Sequence, residues 1–146
     1  MSKVTPFLWF QVPLDEPLAY YKSIFADMKV HAQSPQHASF EILGQRFHAL
    51  NGGPHHAFNE AVSFFIDCED QKEVDYFWQR LTADGGCESQ CGWLKDRYGL
   101  SWQVIPRALT RYMGDPDRAK AGRVTQAMLT MKKIDVAALD RAAAAA

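Results

Sequence analysis

The side chains best suited to proton transfer or metal binding are a few histidines and acids outside any known catalytic motif. His48 lies in an extended segment, and Glu41 lies in the neighbouring one. Because an imidazole titrates near neutral pH, a His–Glu pair could transfer protons, and we take His48 and Glu41 as candidate catalytic residues. The alternative is that His48 is a hydrogen-bonded histidine without a catalytic role. His55 and His56 adjoin on a Gly-Pro loop, where neighbouring side chains point apart, so we expect a solvated pair.

The cysteines are the other reactive side chains, and there are three: Cys68, Cys87 and Cys91. Disulfide-bonded secreted domains usually carry an even number. The CxxxC spacing of Cys87 and Cys91 also differs from a zinc-binding CxxC pair. We therefore expect a reduced, cytoplasmic chain in which the thiols pack as small apolar groups. A redox pair formed by Cys87 and Cys91 is the alternative.

The amino-acid composition limits which kinds of partner the protein can bind. The chain has 146 residues, of which 47% are hydrophobic and 12% aromatic, with a net charge of −1. It is too apolar for a disordered protein and lacks the basic character of a nucleic-acid binder. No apolar run reaches the ~20 residues of a membrane span, and the N-terminus lacks a secretory apolar segment. We expect neither a nucleic-acid nor a membrane partner.

The predicted strands and helices that carry these side chains occur twice in the same order, β-α-β-β-β. The sequence has strand patterns near 5–12, 28–33, 38–43 and 45–50. A first helix with Asp15 as its N-cap follows the first of these strands, and Gly44 marks a hairpin turn between the last two. A second helix, capped by Asp70, follows a strand at 61–68 and precedes strands at 87–91, 92–96 and 100–105. Two more helices begin at Asp115-Pro116 and at Asp135. The predicted organisation is a module at 1–54, a module at 55–106 and a helical extension at 107–146, all in one structural domain.

The two modules also match residue by residue. An offset of 56 places Leu8 on Phe64 and Tyr21 on Phe77, so the opening strands and helices keep their residue classes. The closing hairpins match at an offset of 53, which places Phe40 on Trp93. This pattern predicts an α+β fold of two βαβββ modules related by a pseudo-twofold axis. Chance similarity between aromatic-rich strands is the alternative.

Four stretches carry a resemblance to a known family: TPFLWF at 5–10, the segment 49–78, GWLKDRYGLSWQVIP at 92–106 and the tail 115–135. They resemble the PhnB-like family, labelled "3-demethylubiquinone-9 3-methyltransferase", in the vicinal oxygen chelate (glyoxalase/bleomycin resistance) superfamily. The resemblance implies a fold of two curved four-stranded sheets that is usually completed in a homodimer. It does not identify a substrate.

The superfamily's enzymes typically hold a divalent metal with His, Gln or Glu on the first and last strands of each module. The resemblance places those positions at Phe7, Leu50, Ser63 and Gln103. Two of these residues cannot ligate, and the others offer neutral oxygens, so we expect no metal and no other cofactor. A one-residue slip that brings in His48 or Asn51 is the alternative.

Side chains alternate between the two sides of a strand, so one set of residues should face the helices. The other set contains both apolar and polar residues; we call it the mixed face and expect it to line a concave cleft. The mixed face holds Phe7, Trp9, Gln11, His48, Leu50, Ser63, Phe65, Asp67, Ser101, Gln103 and Ile105, and Glu41 joins it. An aromatic floor with few polar groups is typical of a small-molecule site, and we assign ligand binding to Phe7, Trp9, His48, Ser63, Phe65 and Gln103. The alternative is that these aromatics fill the sheet and leave no cavity.

The sequence therefore predicts metal-free binding of a small aromatic or hydrophobic molecule by a homodimer, which the Met128–Met131 face would hold together. A metal-dependent isomerase, lyase or dioxygenase-like enzyme is the alternative. The methyltransferase activity of the family label ranks third, because neither Gly52-Gly53 nor Gly85-Gly86 forms a strand-to-helix turn for S-adenosylmethionine.

Overall fold

The computed structural model describes residues 2–145 and divides the chain into two compact units, Met1–Phe58 and Asn59–Ala146. The first unit holds one four-stranded sheet in the order β1-β4-β3-β2, in which β1 and β4 are parallel and the other pairs antiparallel. Its elements are β1 (Phe7–Phe10), α1 (Asp15–Ile24), β2 (Lys29–Gln33), β3 (His37–Ile42) and β4 (Gln45–Asn51).

The second unit repeats this topology in a sheet of order β5-β8-β7-β6 and then adds three helices. Its elements are β5 (Ser63–Cys68), α2 (Gln71–Thr82), β6 (Cys87–Glu88), β7 (Trp93–Lys95), β8 (Ser101–Pro106), α3 (Arg107–Met113), α4 (Arg118–Met128) and α5 (Val136–Ala144). The predicted α+β fold of two βαβββ modules with C-terminal helices is confirmed. None of the helices in the described part of the chain is long and apolar enough to cross a bilayer.

Strand pairing supports both offsets of the repeat. Phe7 lies opposite His48 in the first sheet, and Ser63 lies opposite Ser101 in the second. The opening strands are thus related by 56 residues and the closing strands by 53. The two modules share one pattern of strand pairing as well as one order of elements.

The third strand of each module corrects the predicted alignment. Ser39 lies opposite His48, whereas Lys95 lies opposite Ser101, so these strands are related by 56 residues and not by 53. The predicted match of Phe40 with Trp93 is therefore wrong. Near its tip, the hairpin of the second module is three residues shorter than the hairpin of the first. In this shorter hairpin, Trp93 lies opposite Gln103. Because residues opposite each other share a side of the sheet, Trp93 and Lys95 belong to the mixed face.

The helix-facing sides of the strands form the core, as alternation predicts. Residues with less than a tenth of their surface exposed include Leu8, Phe10, Phe47, Ala49, Ile66, Cys68, Trp102 and Val104. The mixed face is more open, and Phe7 and Phe65 are each more than half exposed. Ser101 and Ile105 are exceptions, since both are buried on that face.

The helix starts show which capping predictions hold. Asp70 and Asp135 are N-caps whose side chains accept hydrogen bonds from backbone N–H groups three residues on, as predicted. Asp15 is not the cap of α1: Leu14 takes that position without a side-chain cap, and Asp15 stands in the first turn. In this position its negative charge interacts favourably with the positive, N-terminal end of the helix dipole. The helix predicted at Asp115 begins later, at Arg118, with Asp117 as its cap.

The C-terminal helices cover one end of the second sheet. Ile105 packs in an apolar cluster with Leu109 of α3, Val124 of α4 and Leu139 of α5, which explains its burial on the mixed face. Met128 and Met131 pack against the same cluster. The face predicted to meet a second subunit therefore takes part in the core of its own unit. The helix α3 was not predicted, because its only start signal is Pro106, which also ends β8.

Candidate functional site

The mixed face of the first sheet carries aromatic side chains held by the loop after β4. The Trp9 indole N–H donates to the carbonyl of Gly53 at 2.9 Å, and the His56 ring meets the Trp9 ring edge-on with centroids 4.7 Å apart. A Cβ on Gly52 would lie 2.3 Å from the Trp9 ring, so the absence of a side chain lets the ring lie on this backbone. Trp9 is thus fixed in place, whereas Phe7 beside it is largely exposed.

His48 stands next to Phe7, with ring centroids 5.8 Å apart. Its opposite residue on β3 is Ser39, while Glu41 lies two positions further along the same side. The Glu41 carboxylate lies 3.7 Å from the Nε2 atom of His31 on β2. The contact described for Glu41 is therefore with His31, and proton transfer between His48 and Glu41 stays a prediction.

The mixed face of the second sheet brings together the three residues assigned to ligand binding in this module. Ser63 and Phe65 lie on β5, and Gln103 on β8 lies opposite Phe65. The Gln103 side-chain amide donates to the Ser63 hydroxyl oxygen at 3.0 Å. This one bond leaves the Ser63 O–H and the Gln103 carbonyl oxygen with further hydrogen-bonding capacity, and the exposed ring of Phe65 lies beside them.

A cavity of about 300 Å³ opens on this same face, towards β6 and β7. It is lined by Glu60, Cys87, Glu88, Ser89, Trp93, Leu94, Lys95 and Ser101. None of these residues is among the ligand-binding residues predicted from the sequence. Alternation around Gln103 and Ser101 could have found Trp93 and Lys95, had the hairpin been aligned at the offset that the strand pairing gives.

Two features set the electrostatics of the cavity. The Lys95 ammonium lies 2.5 Å from the Glu60 carboxylate, and this hydrogen bond and charge hold the pKa of Glu60 below its usual range. The Ser101 hydroxyl is fully buried and has no hydrogen-bond partner within residues 2–145. Buried polar atoms are normally paired, so the Ser101 hydroxyl, buried beside the cavity, lacks the partner that such a group usually has.

The positions implied for a superfamily metal hold a donor set that does not fit a divalent ion. Phe7 and Leu50 have no donor atoms, and the Ser63 hydroxyl already accepts a hydrogen bond from Gln103. Within residues 2–145, no group of three His, Cys, Asp or Glu side chains lies close enough together to bind a metal. Tight Zn²⁺ or Mn²⁺ sites need imidazole, thiolate or carboxylate ligands in such a cluster.

The thiols lie in three different environments, and all three are free. Cys68 is buried on the helix-facing side of β5, and this burial raises its thiol pKa to about 12. Cys87 is exposed at the mouth of the cavity, and Cys91 is half-buried in the loop before β7. Cys68 is therefore a packing residue and a poor nucleophile.

Solved structures with this fold come from several organisms. A putative 3-demethylubiquinone-9 3-methyltransferase, PhnB protein, from Bacillus cereus is 26% identical, with a TM-score of 0.64 over 72% of this chain and 99% of its own. A glyoxalase-related enzyme from Fulvimarina pelagi is 13% identical, with a TM-score of 0.52 over 72% and 88%. The fosfomycin resistance protein FosX from Listeria monocytogenes, complexed with Mn(II) and sulfate, is 17% identical, with a TM-score of 0.50 over 70% and 87%. A comparison with curated proteins finds none that is similar.

A family model described as 3-demethylubiquinone-9 3-methyltransferase matches residues 2–105. The match spans both βαβββ modules and ends before α3, so the resemblance noted for the tail 115–135 lies outside it. Because this match covers more than half of the chain, the chain belongs to the 3-demethylubiquinone-9 3-methyltransferase family, and it shares its fold with the glyoxalase-related and fosfomycin resistance structures.

Proposed function

We propose that this protein binds a small aromatic or hydrophobic molecule on its mixed faces without a resident metal ion. The observation that carries the proposal is the cavity on the second sheet, where the apolar residues Trp93 and Leu94 lie among polar and charged residues. Sites for small molecules combine apolar surface, which a ligand ring can contact, with polar groups that orient the ligand. The volume of about 300 Å³ suits a ligand of one or two rings.

The donor set argues against the metal-dependent alternative. A metal in this fold would act as a Lewis acid on substrate oxygens, which requires several strong ligands around one point. The hydroxyl and amide of Ser63 and Gln103 are weak, neutral donors that are already bonded to each other. We assign Ser63, Phe65 and Gln103 to a ligand-binding surface of the second module, and Phe7, Trp9 and His48 to one of the first module.

The glycines argue against S-adenosylmethionine chemistry. The common methyltransferases bind their cofactor at a Gly-rich turn that joins a strand to a helix. Gly52-Gly53 follows β4 and leads into an irregular loop, and Gly85-Gly86 follows α2. A Cβ on Gly86 would lie 2.4 Å from the carbonyl oxygen of Leu81, so this glycine is needed to pack the end of the helix.

The test combines elemental analysis with ligand titration. Protein purified without chelator or affinity tag should carry less than a tenth of an equivalent of Zn, Ni, Mn or Fe. Its Tm should not rise when any of these ions is added. Neutral 2-naphthamide should bind saturably in isothermal titration calorimetry, and Trp93→Ala should weaken this binding several-fold, because stacking on an aromatic ring contributes on the order of 1 kcal/mol.

Tyr76→Ala is the matched control, because Tyr76 is a partly exposed aromatic residue of α2 that does not line the cavity. It should leave naphthamide binding unchanged. One equivalent of bound metal would overturn the proposal in favour of the metal-dependent enzyme. Rapid methyl transfer from labelled S-adenosylmethionine to a demethylated quinone would overturn it in favour of the methyltransferase.

We further propose that the protein acts as a homodimer in the cytoplasm. Large apolar side chains on and beside the mixed face support an interface, since Phe7, Val62 and Phe65 are each more than half exposed. The three free thiols fit a reducing compartment. Sedimentation should give a dimer at micromolar concentration, and a monomer there would contradict this assignment.

A further inference from the structure

We propose that the cavity on the second sheet selects a small planar molecule that bears a carboxylate, and that this carboxylate displaces Glu60 from Lys95. The inference rests on the proposed binding function and specifies its ligand class. Three side chains carry it: the ring of Trp93, the ammonium of Lys95 and the hydroxyl of Ser101.

Lys95 provides the positive charge. Its side chain is 43% exposed, and its described ion-pair partner is Glu60, on the segment that precedes β5. The Glu60 side chain is 65% exposed. An ion pair between two such exposed groups contributes little net stability, so a carboxylate brought by a ligand can replace Glu60 at little cost. Glu60 thus occupies the position that we assign to the acid group of the ligand.

Ser101 provides the second polar contact. It lies opposite Lys95 in the sheet, so its hydroxyl lies beneath the lysine side chain on the same face. Its Oγ is buried and lacks a hydrogen-bond partner in the described part of the chain. A carboxylate has two oxygens. When the Lys95 side chain turns from Glu60 to the ligand and uncovers the hydroxyl, one oxygen binds the ammonium and the other accepts a hydrogen bond from Ser101.

Trp93 provides the apolar contact. It lies two residues before Lys95 on β7, so both side chains leave the same side of the sheet about 7 Å apart. This separation places a ring against the indole when the attached carboxylate is at the ammonium. A carboxylate joined directly to a one- or two-ring system fits both the spacing and the volume.

The experiment compares two probes of equal shape, 2-naphthoate and neutral 2-naphthamide, by isothermal titration calorimetry at pH 7.5. The wild-type protein should bind naphthoate about tenfold more tightly, because charge-assisted hydrogen bonds are stronger than neutral ones. Lys95→Met should abolish this preference, so that naphthoate and naphthamide bind with equal affinity. Glu60→Gln should raise naphthoate affinity roughly threefold, because it weakens the competing carboxylate.

The matched controls are Lys133→Met and Asp75→Asn, which break an ion pair of similar exposure that does not line the cavity. Neither should change the preference for naphthoate. Circular dichroism of each variant checks the fold, and Glu60→Gln tests the same ion pair without removing the lysine.

The outcomes separate this inference from the proposed function. Equal binding of the two probes, unaffected by Lys95→Met or Glu60→Gln, would overturn the carboxylate preference and leave the proposed binding function standing. Failure of both probes to bind at millimolar concentration would overturn both. A naphthoate preference that depends on Lys95 and rises in Glu60→Gln supports both.

Discussion

Replacing Asp96 tests what holds the connection between β7 and β8, and with it the wall of the cavity. The carboxylate of Asp96 is 2% exposed, although it lies in a turn. Its Oδ1 accepts hydrogen bonds from the backbone N–H groups of Tyr98 and Leu100, at 2.9 and 3.1 Å. Its Oδ2 accepts a hydrogen bond from the Trp102 indole at 2.9 Å. One acid thus joins the turn to the buried side of β8.

The size of the effect follows from the number of donors left unpaired. Asp96→Asn keeps an oxygen for the two backbone N–H groups but turns an NH₂ group towards the indole N–H of Trp102. We expect a loss of about 2 kcal/mol, the usual cost of one buried donor without an acceptor plus the loss of charge assistance. Asp96→Ala leaves all three donors without this acceptor, and we expect a loss of about 4 kcal/mol.

The assay is urea unfolding followed by far-UV circular dichroism. A double-mutant cycle with Trp102→Phe isolates the contact between the two side chains, and we expect a coupling of about 1 kcal/mol or more. The matched control is Asp84→Asn, which breaks the exposed pair with Arg97 and should change stability by less than about 0.5 kcal/mol. An Asp96→Asn variant as stable as that control, or strictly additive effects in the cycle, would show that the contact between Asp96 and Trp102 does not stabilise this turn.

Three further predictions concern stability. Burial keeps the Cys68 thiol protonated up to a pKa of about 12, whereas the unfolded thiol loses its proton near 9. The free energy of unfolding should therefore fall by about 1.4 kcal/mol per pH unit between these values. Urea titrations from pH 8 to 10.5 should show a shallower fall in Cys68→Ala. The Gln71 side chain donates to the carbonyl of Ile134 at 3.0 Å and accepts from the N–H of Val136 at 2.7 Å, so Gln71→Ala should cost about 2 kcal/mol. The same variant should speed proteolysis before α5, and unchanged proteolysis would count against this contact. Ser101→Ala should leave the Tm unchanged or higher, because it removes an unpaired buried hydroxyl, yet it should weaken naphthoate binding; a clear drop in Tm would contradict this.

Much of the fold could be predicted because the apolar residues repeat with clear periods. Leu8 and Phe10 alternate with exposed neighbours, and Val74, Phe77 and Trp78 recur at helical spacing on α2. The ends of elements were less predictable. Asp15 has the residue type of an N-cap, but the chain places the buried Leu14 there, since core packing outweighs the weak preference of a single cap.

The ligand surface was predicted in part, for reasons of strand geometry. Alternation places Phe7 and His48 on one side of the first sheet, and Phe65 and Gln103 on one side of the second, and the strand pairing agrees within each sheet. The cavity itself was missed, because Trp93 was aligned with the buried Phe40. Residue class was a poor guide at this position: an aromatic side chain fits the core and a binding site equally well, and only the hydrogen-bonded register decides between them.

The shortened hairpin of the second module has a consequence for how relatives should be aligned and engineered. Side chains in a strand alternate with a period of two, so removing three residues within a strand would exchange its inward and outward sets. Because the three residues are missing from the tip of the hairpin, the strand alternation on either side is unchanged. Lys95 and Ser101 therefore belong to the same face of their sheet as Ser39 and His48 do in the first sheet. Insertions or deletions of odd length at this tip should therefore change the depth of the site while preserving which residues face it. In a sequence alignment of family members, gaps are best placed so that strand positions on the same face stay matched. This holds even where another placement of the gap would align more aromatic residues.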